Sequence, residues 1–257
     1  MKTDLSVAIA TYNEETNIVD CLQSVKNIAS EIVVVDGNST DRTADLAKLH
    51  GATVIKKPNR PMFHINKNIA ISSCKNEWIL LLDADEVVSP QLAEEIVSTI
   101  ASKPGENGYW ISRKNWFLGG FLKKGGAYPD PVIRLFRRGK GILPQISVHE
   151  QVKVDGLTGK LNEDILHYAD PNFQRYLERA NRYTDRTAVD FESKKVKKGL
   201  QTAIFYFIIK PAGTFLNIYF RHKGYKDGFR GFVWALFSGA HYFYAYSKYL
   251  TDKSVKI

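Results

Sequence analysis

Asp83-Ala84-Asp85 closes the apolar run Trp78-Ile-Leu-Leu-Leu82. Two carboxylates one residue apart at a strand end offer hard oxygen ligands, which suit Mg²⁺ or Mn²⁺, and such ions usually keep part of their shell for substrate phosphates. Strand ends and turns also favour Asp for purely local reasons, so the pair draws its meaning from what precedes it. Thr11 ends the run Leu5-Ser-Val-Ala-Ile-Ala10, and Asp36 ends Ile32-Val-Val-Val35. In parallel sheets ligands bind beyond the carboxyl ends of the strands, so Thr11, Asp36 and Asp83 are expected at one crevice. Further along, Arg134 offers a forked guanidinium that matches phosphate. Asn66 either faces that crevice or serves a helix N-terminal turn. Asp130 lies between two prolines, as a base or as an ordinary turn residue. His149 either positions a phosphate or metal or is structural, and His167 reads as a packing or hydrogen-bonding residue ahead of a metal ligand.

The elements that must position these residues alternate. After the first strand-like run, Thr11-Tyr-Asn-Glu-Glu15 turns into Ile18, Leu22, Val25 and Ile28 at helical spacing. The β-branched run at 32–35 suits a strand buried on both faces. Gly37-Asn-Ser-Thr-Asp41 supplies a turn and an N-cap for a helix that Gly51 ends, Thr53-Val-Ile55 is a short third strand, and a helix covers Ile65 to Ser73. Ser89-Pro90 opens another helix, with Pro at its first position. This pattern predicts an α/β domain around a mostly parallel central sheet. From 109 to 169 the text becomes strand and loop, with Val132-Ile-Arg-Leu-Phe136 as a strand on which Arg134 alternates outward. Asp170-Pro171 is expected to cap a long helix. The expected organisation is one domain over 1–169, with halves 1–105 and 106–169, and a helical extension over 170–257.

Composition narrows the function classes. The chain has 257 residues, 44% of them hydrophobic, and two cysteines, Cys21 and Cys74. Both cysteines are expected reduced and buried, as in a cytoplasmic protein. The opening segment reads as a strand rather than a leader. Charge is uneven: residues 171–257 carry sixteen basic and six acidic residues, against twenty and twenty-one in 1–170. A basic region of this kind suits an anionic membrane surface or nucleic acid. No nucleic-acid recognition motif accompanies it, which argues against nucleic acid.

Ala10-Thr-Tyr-Asn-Glu-Glu15, Val35-Asp-Gly-Asn-Ser-Thr-Asp-Arg-Thr43 and Leu82-Asp-Ala-Asp-Glu86 together resemble the N-terminal half of glycosyltransferase family 2, over roughly residues 5–100. Arg134-Leu-Phe-Arg-Arg138 and Val148-His-Glu150 are similar to a bacterial subset that glucosylates the heptose region of the lipopolysaccharide core. The resemblance implies a GT-A fold, a nucleotide-sugar donor (UDP by prevalence), an Mn²⁺ or Mg²⁺ cofactor and an inverting reaction. Thr11, Tyr12, Asn13 and Glu14 would line the nucleotide pocket, Asp36 would meet the base, Asp83 would lie near the donor ribose and sugar, and Asp85 would lead the metal ligation. Glu150 stands roughly where the family carries its catalytic carboxylate, with Asp130 as the rival base. Two departures count: Gly37 stands where many members have a second carboxylate, and the Gln-x-x-Arg-Trp signature of processive synthases is absent, which argues for single-sugar transfer.

Ala203–Ile209 and Phe232–Tyr246 are apolar and aromatic. Lys210-Pro211 is expected to cut the first, and the second offers about fifteen uncharged residues where a span needs about twenty. Bordering lysines and arginines favour helices lying in the headgroup layer of a membrane, with a helical cap or a homodimer interface as the alternatives. The resulting expectation is a cytoplasmic enzyme, peripherally bound to the inner membrane, that moves one hexose from a nucleotide-diphosphate sugar to a lipopolysaccharide-core or other glycolipid acceptor. Transfer to a polyprenyl phosphate is the alternative. A sugar nucleotidyltransferase is disfavoured because the first turn is acidic rather than glycine-rich and basic.

Overall fold

The computed structural model describes residues 3–60, 62–145, 151–170 and 172–251. They form two compact units. The first comprises 1–114 and 130–168; the second comprises 115–129 and 169–257. Residues 115–129, read from sequence with the first region, therefore group with the C-terminal helices.

In the first unit, β1 (Leu5–Thr11), α1 (Ile18–Val25), β2 (Glu31–Asp36), α2 (Thr43–Leu49), β3 (Thr53–Lys56), α3 (His64–Ser73) and β4 (Trp78–Asp83) alternate as the sequence pattern requires. A short strand, β5 (Glu86–Val88), and α4 (Pro90–Ala101) follow. The Ser89 hydroxyl caps α4, accepting from the Leu92 N–H at 3.2 Å. The strands β6 (Gly108–Phe117), β7 (Gly120–Phe121), β8 (Asp130–Arg137), β9 (Gly141–Ile142), β10 (Lys153–Val154) and β11 (Thr158–His167) come next. The main sheet runs β3-β2-β1-β4-β8-β6-β11-β5, while β7 pairs with the end of β6 and β9 with β10. The neighbours in β3-β2-β1-β4 are parallel, while β4–β8, β6–β8 and β11–β5 are antiparallel, so the sheet is mixed. Burial explains the sequence pattern: Ile79, Leu80, Leu81 and Leu82 are all inaccessible, because β4 is covered on both faces. Cys21 and Cys74 are buried free thiols, and burial pushes the Cys74 thiol up to about 12.

The second unit contains α5 (Phe173–Ser193), α6 (Leu200–Arg221) and α7 (Gly228–Thr251). The cap of α5 is Asn172, whose side chain accepts from the Arg175 N–H at 2.9 Å; Asp170, the residue expected there, instead pairs with Arg179. Phe117, Leu122 and Ala127 share a core with Tyr176 and Val233. A second core joins Ala188 and Phe191 to Ala245, Tyr246 and Tyr249.

The expected cut at Lys210-Pro211 does not occur, and α6 is continuous for 22 residues. Its turn Phe205–Ile209 is π-helical, with the Lys210 N–H donating to the Phe205 carbonyl five residues back. That wider turn ends where Pro211, lacking an N–H, would otherwise break the ladder. By length and composition α6 could cross a membrane. It crosses α7 closely at Gly239, where a Cβ would stand 2.6 Å from the Pro211 carbonyl oxygen.

Candidate active site

Parallel register sets Thr11 beside Asp36 and Ala10 beside Asp83 at the carboxyl edge of three adjacent strands. Thr11 and Asp36 are buried, and the Thr11 Oγ1 and one Asp36 oxygen, Oδ1, have no partner among the described residues. A buried acceptor left unmet is costly, which makes this edge a candidate to hold a polar ligand. The other Asp36 oxygen accepts from the Ser39 N–H at 3.0 Å.

The two loops that begin here are tied together. Asn13 and Asn38 both adopt left-handed backbone, a conformation Asn tolerates better than most residues. The Asn13 N–H donates to the Ser39 hydroxyl, and the Asn13 amide oxygen accepts from the Thr40 N–H, each at 2.9 Å. Asp41 accepts from the N–H groups of Glu15 and Thr43. Burial opposes ionisation of Asp41, but the hydrogen bonds from Thr43 outweigh it and lower its pKa. The missing second carboxylate also has a steric reason. A Cβ on residue 37 would lie 3.2 Å from the Asn59 Cβ and 3.3 Å from the Thr11 carbonyl oxygen.

Behind the edge runs a chain of alternating charges. Lys67 of α3 pairs with one oxygen of Asp83, and Arg134 of β8 donates to the other at 2.6 Å. The same Arg134 nitrogen reaches Glu86 at 2.6 Å, Arg113 of β6 meets Glu86 at 3.4 Å, and Arg113 also holds Asp130 at 2.6 Å. Three cations thus alternate with three carboxylates. Glu86 is inaccessible, and its remaining oxygen accepts from the Asp83 N–H at 2.9 Å. Burial alone would raise the Asp83 pKa; Arg134 and then Lys67 overturn this and hold the carboxyl far below the usual carboxylate range. Burial likewise opposes the charge on Arg134, yet Asp83 and Glu86 drive its pKa further up.

Asp85 lies outside this chain. β11 pairs with β5 so that His167 stands opposite Glu86, and the Tyr168 N–H donates to the Asp85 carbonyl at 2.8 Å. The His167 Nε2 consequently lies 3.6 Å from an Asp85 carboxylate oxygen. Burial would lower the His167 pKa, but Asp85 and, more weakly, Glu86 raise it. A carboxylate beside an imidazole is a half-shell that a divalent cation can share with phosphate oxygens.

The structure therefore separates the two acids of the strand-end pair. Both Asp83 oxygens are engaged by cations, while Asp85 faces His167. Asn66 is buried, its amide nitrogen donating to the Pro58 carbonyl at 3.1 Å and its oxygen without a partner among the described residues. Asn68 exchanges two hydrogen bonds with the Leu143 backbone and serves the fold. Tyr12 is exposed, and Glu14 accepts from the Asn17 amide at 2.7 Å. Arg134 does not alternate outward; it is buried among the carboxylates. Asp130 is ion-paired with Arg113. His149 and Glu150 lie outside the described residues. Sequence reading missed Lys67, Glu86 and Arg113. Glu86 had a signal, being a third acid directly after the Asp-x-Asp pair.

Residues 6–140 match the family described as Glycosyl transferase family 2. An "uncharacterized glycosyltransferase" of Rickettsia typhi is 32% identical over 240 residues, covering 89% of this chain and 80% of that protein. The "lipopolysaccharide core biosynthesis glycosyltransferase LpsC" of Rhizobium meliloti is 28% identical over 262 residues, covering 99% and 95%. Among solved structures, S. aureus TarS in complex with UDP-GlcNAc superposes with a TM-score of 0.50 at 15% identity, covering 97% of this chain and 88% of that one, a likeness of fold alone. The matched residues run from β1 through β8, including the strand ends that carry Thr11, Asp36 and Asp83, and on that match the chain belongs to glycosyl transferase family 2.

Proposed function

We propose that this glycosyltransferase moves one hexose from a nucleotide-diphosphate sugar, a UDP-sugar first, to a lipopolysaccharide-core or related glycolipid acceptor, with inversion and without processive extension. The observation that carries the reading is the strand-end edge. There the unmet acceptors of Thr11 and Asp36 end β1 and β2 and that of Asn66 sits on α3, while Asp85, just after the neighbouring β4, faces His167 of β11. Similarity to LpsC, named for lipopolysaccharide core biosynthesis, supports the acceptor class. TarS, solved with UDP-GlcNAc, supports a UDP-sugar by fold only.

The residues present fit a divalent cation. Asp85 and His167 would hold Mn²⁺ or Mg²⁺, which when bound would neutralise charge gathering on the departing diphosphate. Asp36, Thr11, Tyr12, Asn13, Glu14 and Asn66 would hold the nucleotide. Asp83, clamped by Lys67 and Arg134, would present a fixed negative surface to the ribose and sugar. Glu150 is the proposed base. Its task, removing the acceptor hydroxyl proton, requires an ionised carboxylate within hydrogen-bond reach; Asp130 already engages Arg113. The basic second unit would rest against the anionic cytoplasmic face of the inner membrane, close to lipid-linked acceptors.

Calorimetry with UDP, GDP, CDP, dTDP and ADP, each with and without Mn²⁺, tests the reading on wild type and Asp85→Ala. One diphosphate is expected to bind tightly, with the gain from Mn²⁺ lost in the variant. Absence of binding by all five would overturn it. Glu150→Gln should abolish sugar transfer while leaving donor binding intact; a fully active variant would remove Glu150 as base.

A further inference from the structure

The outward face of α6 repeats every four residues. Leu200, Ile204, Ile208, Ala212, Leu216 and Phe220 are all exposed, as are their neighbours Phe205 and Ile209. Ile208 is 63% exposed and Phe220 57%, whereas the apolar run of β4, Ile79 to Leu82, is inaccessible. A regular helix of 3.6 residues per turn would let a four-residue repeat drift around its axis. Two π-helical turns, Phe205–Ile209 and Asn217–Arg221, take more residues per turn and unwind α6 toward that period. The repeat therefore stays in one straight, solvent-facing stripe.

The remainder of α6 is committed to its own unit. Ala203, Tyr206 and Phe207 pack on the core of Ala188, Phe191, Ala245 and Tyr246. Phe215 meets Phe232 edge-on. The single cation in the middle of the helix, Lys210, folds back over the Tyr242 ring of α7 at 4.9 Å. Between Leu200 and Phe220 the stripe thus carries no charge. Immediately outside it the charge is positive at both ends: Lys194, Lys195, Lys197 and Lys198 precede α6, Arg221 ends it, and Lys223 and Lys226 follow, all exposed.

We infer that the α6 stripe inserts into an anionic phospholipid bilayer, with the helix axis lying in the membrane plane. An apolar face flanked by lysines suits burial of about 5–10 Å at the boundary of headgroups and acyl chains. Cations at both ends place both ends at headgroup level on the same leaflet. The packed inner face and the polar α5 behind it oppose a spanning orientation. This deepens the membrane association proposed above and rests on it, by naming the element that enters the lipid.

The test uses the full-length chain with an environment-sensitive fluorophore on Ile208→Cys or Leu216→Cys, the native cysteines being buried. Vesicles contain phosphatidylglycerol and phosphatidylethanolamine, or phosphatidylcholine alone. On the anionic vesicles both probes should shift to the blue and be quenched by shallow nitroxide lipids. The double variant Ile208→Glu/Leu216→Glu should bind these vesicles about tenfold more weakly or worse, with an unchanged melting curve. Full binding by that variant, with both probes still in water, would overturn insertion while leaving membrane association to the lysines. Failure of wild type to bind would overturn both. Probes at Leu200→Cys and Phe220→Cys reached from opposite sides of the bilayer would replace the in-plane helix by a spanning one. A wild-type dimer dispersed by Ile208→Glu, without vesicle binding, would make the stripe a contact between two copies and overturn the inference.

Discussion

The two units break the usual rule of residue placement in opposite directions. In the first, six charged side chains are drawn into the carboxyl edge of a sheet, one of them, Glu86, wholly inaccessible. In the second, a 22-residue helix turns large aliphatic side chains outward. A buried charge and an exposed apolar stripe are the departures that carry information, since ordinary surfaces contain scattered apolar residues in any case. The burdens differ as well. The ion chain must be complete to be tolerated, because each member is the counter-charge of its neighbours. The stripe owes the fold almost nothing.

That contrast can be broken most forcefully at Glu86. Glu86→Leu leaves Arg134 and Arg113 without their shared carboxylate and should cost about 3–5 kcal/mol in urea unfolding; a loss below about 1 kcal/mol would mean the chain is not a cooperative unit. Next comes Asp85→Ala, which should lower UDP affinity measured with Mn²⁺ by about a hundredfold and leave metal-free affinity unchanged. Equal losses with and without metal would assign Asp85 to the nucleotide instead. Smaller is Asp41→Ala, which unties the two edge loops and should cost about 1 kcal/mol. The native pKa of Asp41 is depressed, so its contribution is complete above the unfolded value of about 3.9 and fades as pH falls through the native value. Asp41→Asn should lack that acid-side loss in unfolding curves taken between about pH 5 and pH 2. Smallest, Ile208→Glu should change unfolding free energy by no more than about 0.5 kcal/mol; a large loss would show that the stripe is part of the core.

Much of this architecture is legible in the chain because buried parallel strands announce themselves. Ile32–Val35 and Trp78–Leu82 are continuous apolar runs ended by Asp, and both are strands ending at the expected edge. The same property hid Arg134. Val132 through Phe136 are all buried, and where both faces of a strand are covered, alternation no longer tells inside from outside. Lys67 and Arg113 escaped because their partners lie 16 and 27 residues away in sequence, at Asp83 and Glu86. Pro211 misled for a different reason: proline usually ends a helix, and nothing in residue identity alone announces a π turn. The cap at Asn172 was two residues from the expected one, since Asp170 finds Arg179 across two turns of α5.

The segment 115–129 sets the order in which this protein can be finished. Phe117 lies 5.0 Å, ring to ring, from Tyr176 and 5.6 Å from Trp234. It leaves the ribosome long before either partner, and Trp234 is more than a hundred residues later. The Phe117 core therefore waits, exposed, until residue 234 has been made, an interval in which a chain is vulnerable to aggregation. A nonsense or frameshift product stopping near residue 168 would keep the residues of the first unit yet strand Phe117, Leu122 and Ala127 without their cover. Truncated chains of that length should be found in inclusion bodies rather than as a free catalytic domain.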